Sequence, residues 1–305
     1  MYYYKIYGLT LSSDYEFPQF VSIDKPEGDA DITIEYGMSE EILTKVKKGF
    51  WSSHRPHNKW FRNQDGIFWI HDDCKINFIE YGDTIDQAAQ FLPGMCLAIL
   101  LWFRKMIMIH GACLRYKDRT IIIAGDSGSG KSTLTTEFIK KGAMLIADDV
   151  TGIRIEDGEY YSYPAFPAQK LCMDQVEKNN IDVSDLRQVK YDLNKYEIPR
   201  EEIFYDKKSK VDYFFRVDAE EVSEETMATE PFELSTDEIT GAEKIKILTD
   251  SLFVKFLFDS EFRFEPDDMI RCIGFANKIK MFHIVRNWDV DTLDRIIGYI
   301  DENVN

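Results

Sequence analysis

Eight consecutive residues, Gly125-Asp126-Ser127-Gly128-Ser129-Gly130-Lys131-Ser132, have the types and the spacing to hold phosphate. Backbone N–H groups can converge on phosphate oxygens only where side chains leave room, and the glycines supply that room. The helix that should follow adds the partial positive charge of its N-terminus. Lys131 would set its ammonium against the β- and γ-phosphates, and the Ser132 hydroxyl would enter the shell of a Mg²⁺ ion. Thr133 follows at the start of the same helix. The ligand these residues predict is a nucleoside triphosphate, ATP foremost, with Mg²⁺ as its cation.

Two further places in the chain could act on a bound phosphate. Asp148-Asp149 ends the next apolar strand, where one carboxylate can hold Mg²⁺ and another can take the proton of an attacking hydroxyl. Neighbours on a strand point to opposite sides, so both serve one site only if the strand has already ended. His110 is the ionisable group in an apolar run, Met106-Ile-Met-Ile-His110-Gly-Ala-Cys. A lone histidine there is usually a core residue, and the same residue type suits proton transfer.

These side chains need a strand before the loop and a helix after it. Residues 120–124 supply the strand, paired as a hairpin with residues 106–116 across Lys117-Asp118-Arg119. Residues 131–141 supply the helix, stopped at Gly142. A short strand at 143–147 leads to the aspartates. Further on, Asp157-Gly158 predicts a hairpin between 152–155 and 160–163. Short helices are expected at 171–178 and 185–190, a strand at 211–217, a helix at 242–257, a strand at 280–285 and a closing helix at 291–300. Before the loop, residues 4–11, 30–35, 66–71 and 76–81 read as antiparallel strands. A helix capped by Asp83 or Thr84 comes next, with Pro93 as a kink. The texture changes between residues 83 and 105. This divides the chain into a β-rich unit, residues 1–100, serving as a substrate platform, and a catalytic unit, residues 101–305, of mixed α/β class.

Composition narrows the partners. The 305 residues are 44% hydrophobic and 30% charged, the profile of a folded globular chain. A formal net charge of -17 argues against nucleic acid as the partner. Cys74, Cys96, Cys113, Cys172 and Cys272 form no close pair and read as buried thiols of a reducing, cytoplasmic compartment. The N-terminus lacks a signal-peptide pattern. The apolar run 96–103 is shorter than the roughly 20 residues of a membrane span and reads as a buried helix, so no membrane is expected. Homo-oligomerisation stays open. From 217 to 243 the chain has no Lys or Arg and many acids, which reads as a solvated face.

Three segments together resemble the C-terminal catalytic domain of HPr kinase/phosphorylase and the wider group of HPr-kinase-like proteins. They are His110-Gly-Ala-Cys-Leu, then Ile121-Ile-Ile-Ala-Gly-Asp-Ser-Gly-Ser-Gly-Lys-Ser132, then Lys141-Gly-Ala-Met-Leu-Ile-Ala-Asp-Asp-Val150. The resemblance implies a fold shared with ATP-dependent phosphoenolpyruvate carboxykinase, a mixed sheet wrapped around the phosphate loop. It also implies a kinase acting on a serine hydroxyl. Lys131 and Ser132 then take the phosphate and Mg²⁺ roles, His110 and one aspartate handle the proton, and the other aspartate binds metal.

The family's basic segment after the Asp-Asp strand is not found here, which sets HPr aside as the acceptor. The opening Tyr7-Gly8-Leu9, Ala30-Asp31-Ile32-Thr33-Ile34, and Tyr163-Pro164-Ala165-Phe166-Pro167-Ala168-Gln169-Lys170-Leu171 look like HPr-kinase-like proteins encoded beside peptide-maturation genes. Some of these phosphorylate the C-terminal serine of lasso-peptide precursors, so the resemblance implies a peptide or protein acceptor. Lys170 is a candidate contact for phosphate or carboxylate. A kinase of free serine or another small hydroxyl compound, and a nucleotide-binding regulator without transfer, are the alternatives. A GTPase is disfavoured, since Asn277-Lys278-Ile279-Lys280 has lysine where a base-reading carboxylate belongs.

Overall fold

The computed structural model describes residues 1–184, 186–189, 194–220, 233–255 and 264–304, without the side chain of His54. Parts of the expected helices at 185–190 and 242–257, and of the acidic stretch 217–243, lie outside the described residues.

The chain is mixed α/β, built on two large sheets and one small one. The first sheet holds β1 (Tyr2–Ile6), β2 (Leu9–Ser13), β3 (Val21–Ser22), β4 (Ile32–Tyr36), β5 (Ser52–Arg55), β6 (Asn58–Arg62), β7 (Gly66–His71) and β8 (Lys75–Glu80), in the order β3-β1-β2-β4-β8-β7-β6-β5. Its pairings are antiparallel except β2–β4 and β4–β8, which are parallel. The run expected as one strand at 4–11 is a hairpin, because Tyr7 and Gly8 turn with φ of 50° and 73°. A helix at Glu40–Lys47, capped by the Ser39 side chain, was not read from the sequence.

The second sheet contains β9 (Ile107–Tyr116), β10 (Arg119–Ala124), β11 (Met144–Ala147), β12 (Val150–Glu156), β13 (Glu159–Tyr163), β17 (Ser209–Lys210), β18 (Tyr213–Glu220), β19 (Leu234–Glu238) and β20 (Lys280–Asn287). Its order is β17-β13-β12-β9-β10-β18-β20-β19, with β11 also paired to β9. The small sheet, β14 (Ala168–Cys172), β15 (Arg187–Gln188) and β16 (Lys195–Pro199), runs β14-β16-β15. Two expectations fail here. Residues 168–172 are strand and the helix begins only at Met173, while Arg187 and Gln188, placed in a helix, pair as strand with β16. In both cases tertiary pairing overrides local propensity.

Side chains alternate along β10. Ile122 and Ala124 enter the core shared with the first sheet, and Ile121 and Ile123 enter a second core under the loop helix Lys131–Lys140 and the closing helix Leu293–Asn303. Burying each of these isoleucines contributes about 1.5–3 kcal/mol, so the strand that delivers the loop is fixed from both faces.

The stretch from Ile85 to Phe103 joins the two large sheets. Pro93 cannot donate a hydrogen bond, and the helix widens around it into a π-turn, Leu92–Cys96, in which Cys96 N–H reaches the Phe91 carbonyl at 3.1 Å. These 19 residues are apolar and long enough to cross a bilayer by length and composition. Here Leu97–Phe103 is buried throughout and packs on β7, β9 and β12. Cys96, Cys113 and Cys272 are buried free thiols as expected, whereas Cys74 and Cys172 are half-buried.

Candidate active site

Strand β10 brings the loop in between β9 and β18, with Ala124 in register with Gly111 on one side and Arg216 on the other. At Gly125 a Cβ atom would sit 2.2 Å from the Val217 carbonyl and 2.5 Å from Ser129 Oγ, so the turn needs glycine. Gly130 caps the loop helix with φ of 103° and no side chain caps it. The first N–H groups of that helix therefore point out of the loop with the positive end of its dipole, which suits an anion. Lys131 Nζ is folded back on the Asp126 carbonyl at 2.8 Å. Burial pulls its pKa down to about 8, against the opposing pull of Asp149 and Asp148.

The strand leading to the aspartates ends at Ala147, before the pair. Asp149 takes φ of 64°, Val150 N–H turns back to the Asp148 carbonyl at 2.7 Å, and β12 starts at Val150 opposite His110. This corner brings both carboxylates to one cavity with His110 and Lys131. His110 Nε2 is 3.5 Å from Asp149 Oδ1, and Lys170 Nζ is 2.8 Å from Asp149 Oδ2. The Lys170 backbone N–H donates to Asp148 Oδ2 at 2.8 Å. The two carboxyls diverge as a result. Burial, with repulsion from Asp149, raises Asp148 to about 6. Burial alone would raise Asp149 too, but Lys170 and His110 hold it well below the usual carboxylate range.

Other residues complete the arrangement without any local sequence signal. Arg216, 5% exposed, donates to Asp126 Oδ2 at 2.9 Å and pairs with Asp218, which His283 Nε2 meets at 2.9 Å. Lys255 Nζ lies 3.2 Å from Asp126 Oδ1. Asp126 of the loop is thus held by two cations. Asp218 falls to about 2: burial opposes ionisation, but His283 and Arg216 outweigh it. The Phe253 ring stands edge-on to His110, with centroids 5.7 Å apart.

The cavity has a volume of about 380 Å³. Ser127, Gly128, Gly130, Lys131, Ser132 and Thr133 form its loop side. His110, Asp148, Asp149 and Lys170 form the facing side. Gly125, Asp126 and Ser129 lie outside this lining and shape the loop. A second cavity of about 170 Å³ opens on the far flank of the loop, lined by Thr133, Arg286 and Thr292 among others. The open helix end, the folded-back lysine and the glycine cradle fit a polyphosphate. Ser132 and the two carboxylates offer only oxygen, the donor that Mg²⁺ prefers. Among the described residues no three His, Cys, Asp or Glu gather into a metal site of their own.

Comparison with known proteins agrees with the resemblance read from the sequence. Residues 102–190 match the family described as HPr Serine kinase C-terminal domain. The chain is 32% identical over 73 residues to the HPr kinase/phosphorylase of Mycoplasmopsis pulmonis, which is 24% of each chain. It is 30% identical over 89 residues to that of Lachnoclostridium phytofermentans, covering 28% of this chain and 29% of the relative. The chain thus spans less than a third of the length of these curated relatives. Among solved structures, the Hpr(Ser) kinase/phosphatase from Coxiella burnetii aligns at 15% identity with a TM-score of 0.31, over 64% of this chain and 94% of that one. Over residues 102–190, then, this is an HPr-kinase-like segment. It carries the loop, His110, both aspartates and Lys170.

Proposed function

We propose that the chain is an ATP- and Mg²⁺-dependent kinase that transfers the γ-phosphate to a serine hydroxyl of a peptide or protein, in the finer reading the C-terminal serine of a ribosomally made lasso-peptide precursor. One observation carries the reading: the loop faces His110, Asp148, Asp149 and Lys170 across a single cavity.

Residues 125–133 bind the triphosphate through backbone N–H groups and the Lys131 ammonium, which leaves the Asp126 carbonyl to do so. The nucleoside extends toward the cavity at Thr133, Arg286 and Thr292. Ser132 Oγ and Asp148 would hold Mg²⁺, which would supply positive charge to the transferring phosphate. The acceptor hydroxyl enters from the opposite side, in line with the bond that breaks. Its proton passes to the His110–Asp149 pair as its oxygen bonds to the γ-phosphorus, and the β-phosphate oxygen leaves with ADP. Lys170 fixes Asp149 in position and keeps it ionised. Residues 1–100 serve as the acceptor platform beside a catalytic unit of residues 101–305. The free thiols fit a cytoplasmic setting.

Mass spectrometry of serine-ended peptides incubated with the protein and Mg²⁺-ATP tests this. The expected result is a gain of one phosphate on serine, lost with Lys131→Ala. Undiminished phosphorylation by that variant, or ATP turnover with no acceptor modified, would sink it.

A further inference from the structure

Gly94 is a glycine without a conformational reason. It sits inside the π-turn Leu92–Cys96 and is not among the residues of positive φ. In a helix, glycine costs roughly 0.5–1 kcal/mol against alanine. Close packing does not require it either, since a Cβ there would meet no heavy atom of the described residues within 4 Å outside its chain neighbours and its own helix backbone. The room it leaves belongs to the cavity of His110, Asp149 and Lys170, and to a small one behind the aspartates.

Around that room the wall carries an apolar patch, with Gln90 and Lys170 also on the lining. Phe91 and Met95 flank Gly94, half-buried against the main core, and Phe253 stands edge-on to His110. The phosphate loop holds the opposite side. In the kinase reading, a group approaching the γ-phosphate from the Gly94 side would set its hydroxyl at His110 and its neighbouring atoms on Phe91 and Met95. A small polar alcohol would leave this wall bare, whereas an apolar side chain would fill it. Phe91, Gly94 and Met95 precede residue 102 and lie outside the family match.

We propose that the notch at Gly94, walled by Phe91, Met95 and Phe253, seats an apolar side chain adjacent to the hydroxyl residue of a peptide acceptor. This rests on the kinase reading for its orientation, and its test separates the two.

Short fluorescein-labelled peptides ending in serine, preceded by leucine or by aspartate, are titrated into the full chain with Mg²⁺ and a non-hydrolysable ATP analogue. Fluorescence anisotropy should show the leucine peptide binding about tenfold or more tighter, the worth of a small apolar group in a pocket. Gly94→Trp fills the notch and Phe91→Ala removes its wall; each should erase the preference. Nucleotide affinity by calorimetry should stay within about twofold, as for independent sites. No preference in the wild type, a preference surviving in folded Gly94→Trp, or a parallel loss of nucleotide affinity would each overturn the proposal. If Gly94→Trp fails to fold, Phe91→Ala decides. An intact binding preference with no phosphate transferred from Mg²⁺-ATP would refute the kinase reading and leave the notch standing.

Discussion

The Lys170 ammonium lies 2.8 Å from Asp149 Oδ2, on the far side of that carboxylate from His110. The same residue holds Asp148 through its backbone N–H. Lys170→Met should therefore remove the charge beside Asp149 and leave the Asp148 contact in place. Turnover is expected to fall about 10²-fold, the scale of a positioned acid–base group, with nucleotide affinity little changed. Steady-state rates alongside calorimetric Kd values check this. A fall in nucleotide affinity matching the fall in turnover would place Lys170 on the phosphates instead.

The two aspartates should separate under conservative substitution. Asp148→Asn is expected to weaken Mg²⁺-dependent nucleotide binding, and Asp149→Asn to lower turnover by about 10²–10⁴-fold with binding retained. Titrating Mg²⁺ against each variant distinguishes them. If neither substitution lowers turnover, the assignment of both fails.

Lys131 gives a pH signature. Its folded pKa of about 8 lies below the ordinary 10.5, so between these values the unfolded chain binds more protons, and the stability due to this group rises with pH. Nucleotide binding runs the other way, because phosphate favours the ammonium. Above about pH 8, affinity should fall by up to about tenfold per unit, with proton uptake on binding. Calorimetry in buffers of different ionisation enthalpy measures that uptake. It should vanish in Lys131→Met, and equal uptake by both proteins would contradict the assignment.

Gly125→Ala tests the cradle. The new methyl would meet the Val217 carbonyl at 2.2 Å, a backbone atom that cannot swing aside. A loss of about 1–3 kcal/mol is expected, typical of overpacking, together with loss of nucleotide binding. Denaturant unfolding and calorimetry read the two effects. Wild-type binding in this variant would mean that the loop turns differently.

The loop, its strand and helix, and the Asp-Asp corner were legible because each is encoded within a few residues. His110 was not legible from its residues alone, which read as core; the family resemblance pointed to it. Arg216, Lys255 and His283 were not legible either: the parallel pairing of β10, β18 and β20 delivers Arg216 and His283, and Lys255 follows a segment bridged to β9 at Ile109 and Leu252, so their contacts with Asp126 and Asp218 span 65 to 129 positions of sequence. The helix Pro266–Lys278 was missed although its signals were present: Glu265 and Asp268 form a reciprocal capping box around Pro266. Ser39, before Glu40-Glu41, is a similar overlooked cap. Strand β14 could not be read locally, because its extended shape comes from pairing with β16.

The left-handed backbone at Asp149 also restricts what can replace it. Only glycine, asparagine and aspartate enter that region at little cost. Glutamate keeps the charge and would strain the corner; asparagine keeps the corner and discards the charge. Among sequences of this type, a protein that had abandoned catalysis while keeping its shape should be recognisable by asparagine or glycine at this position. In the kinase reading, the corner would sort working enzymes from their silent copies by reading a single residue.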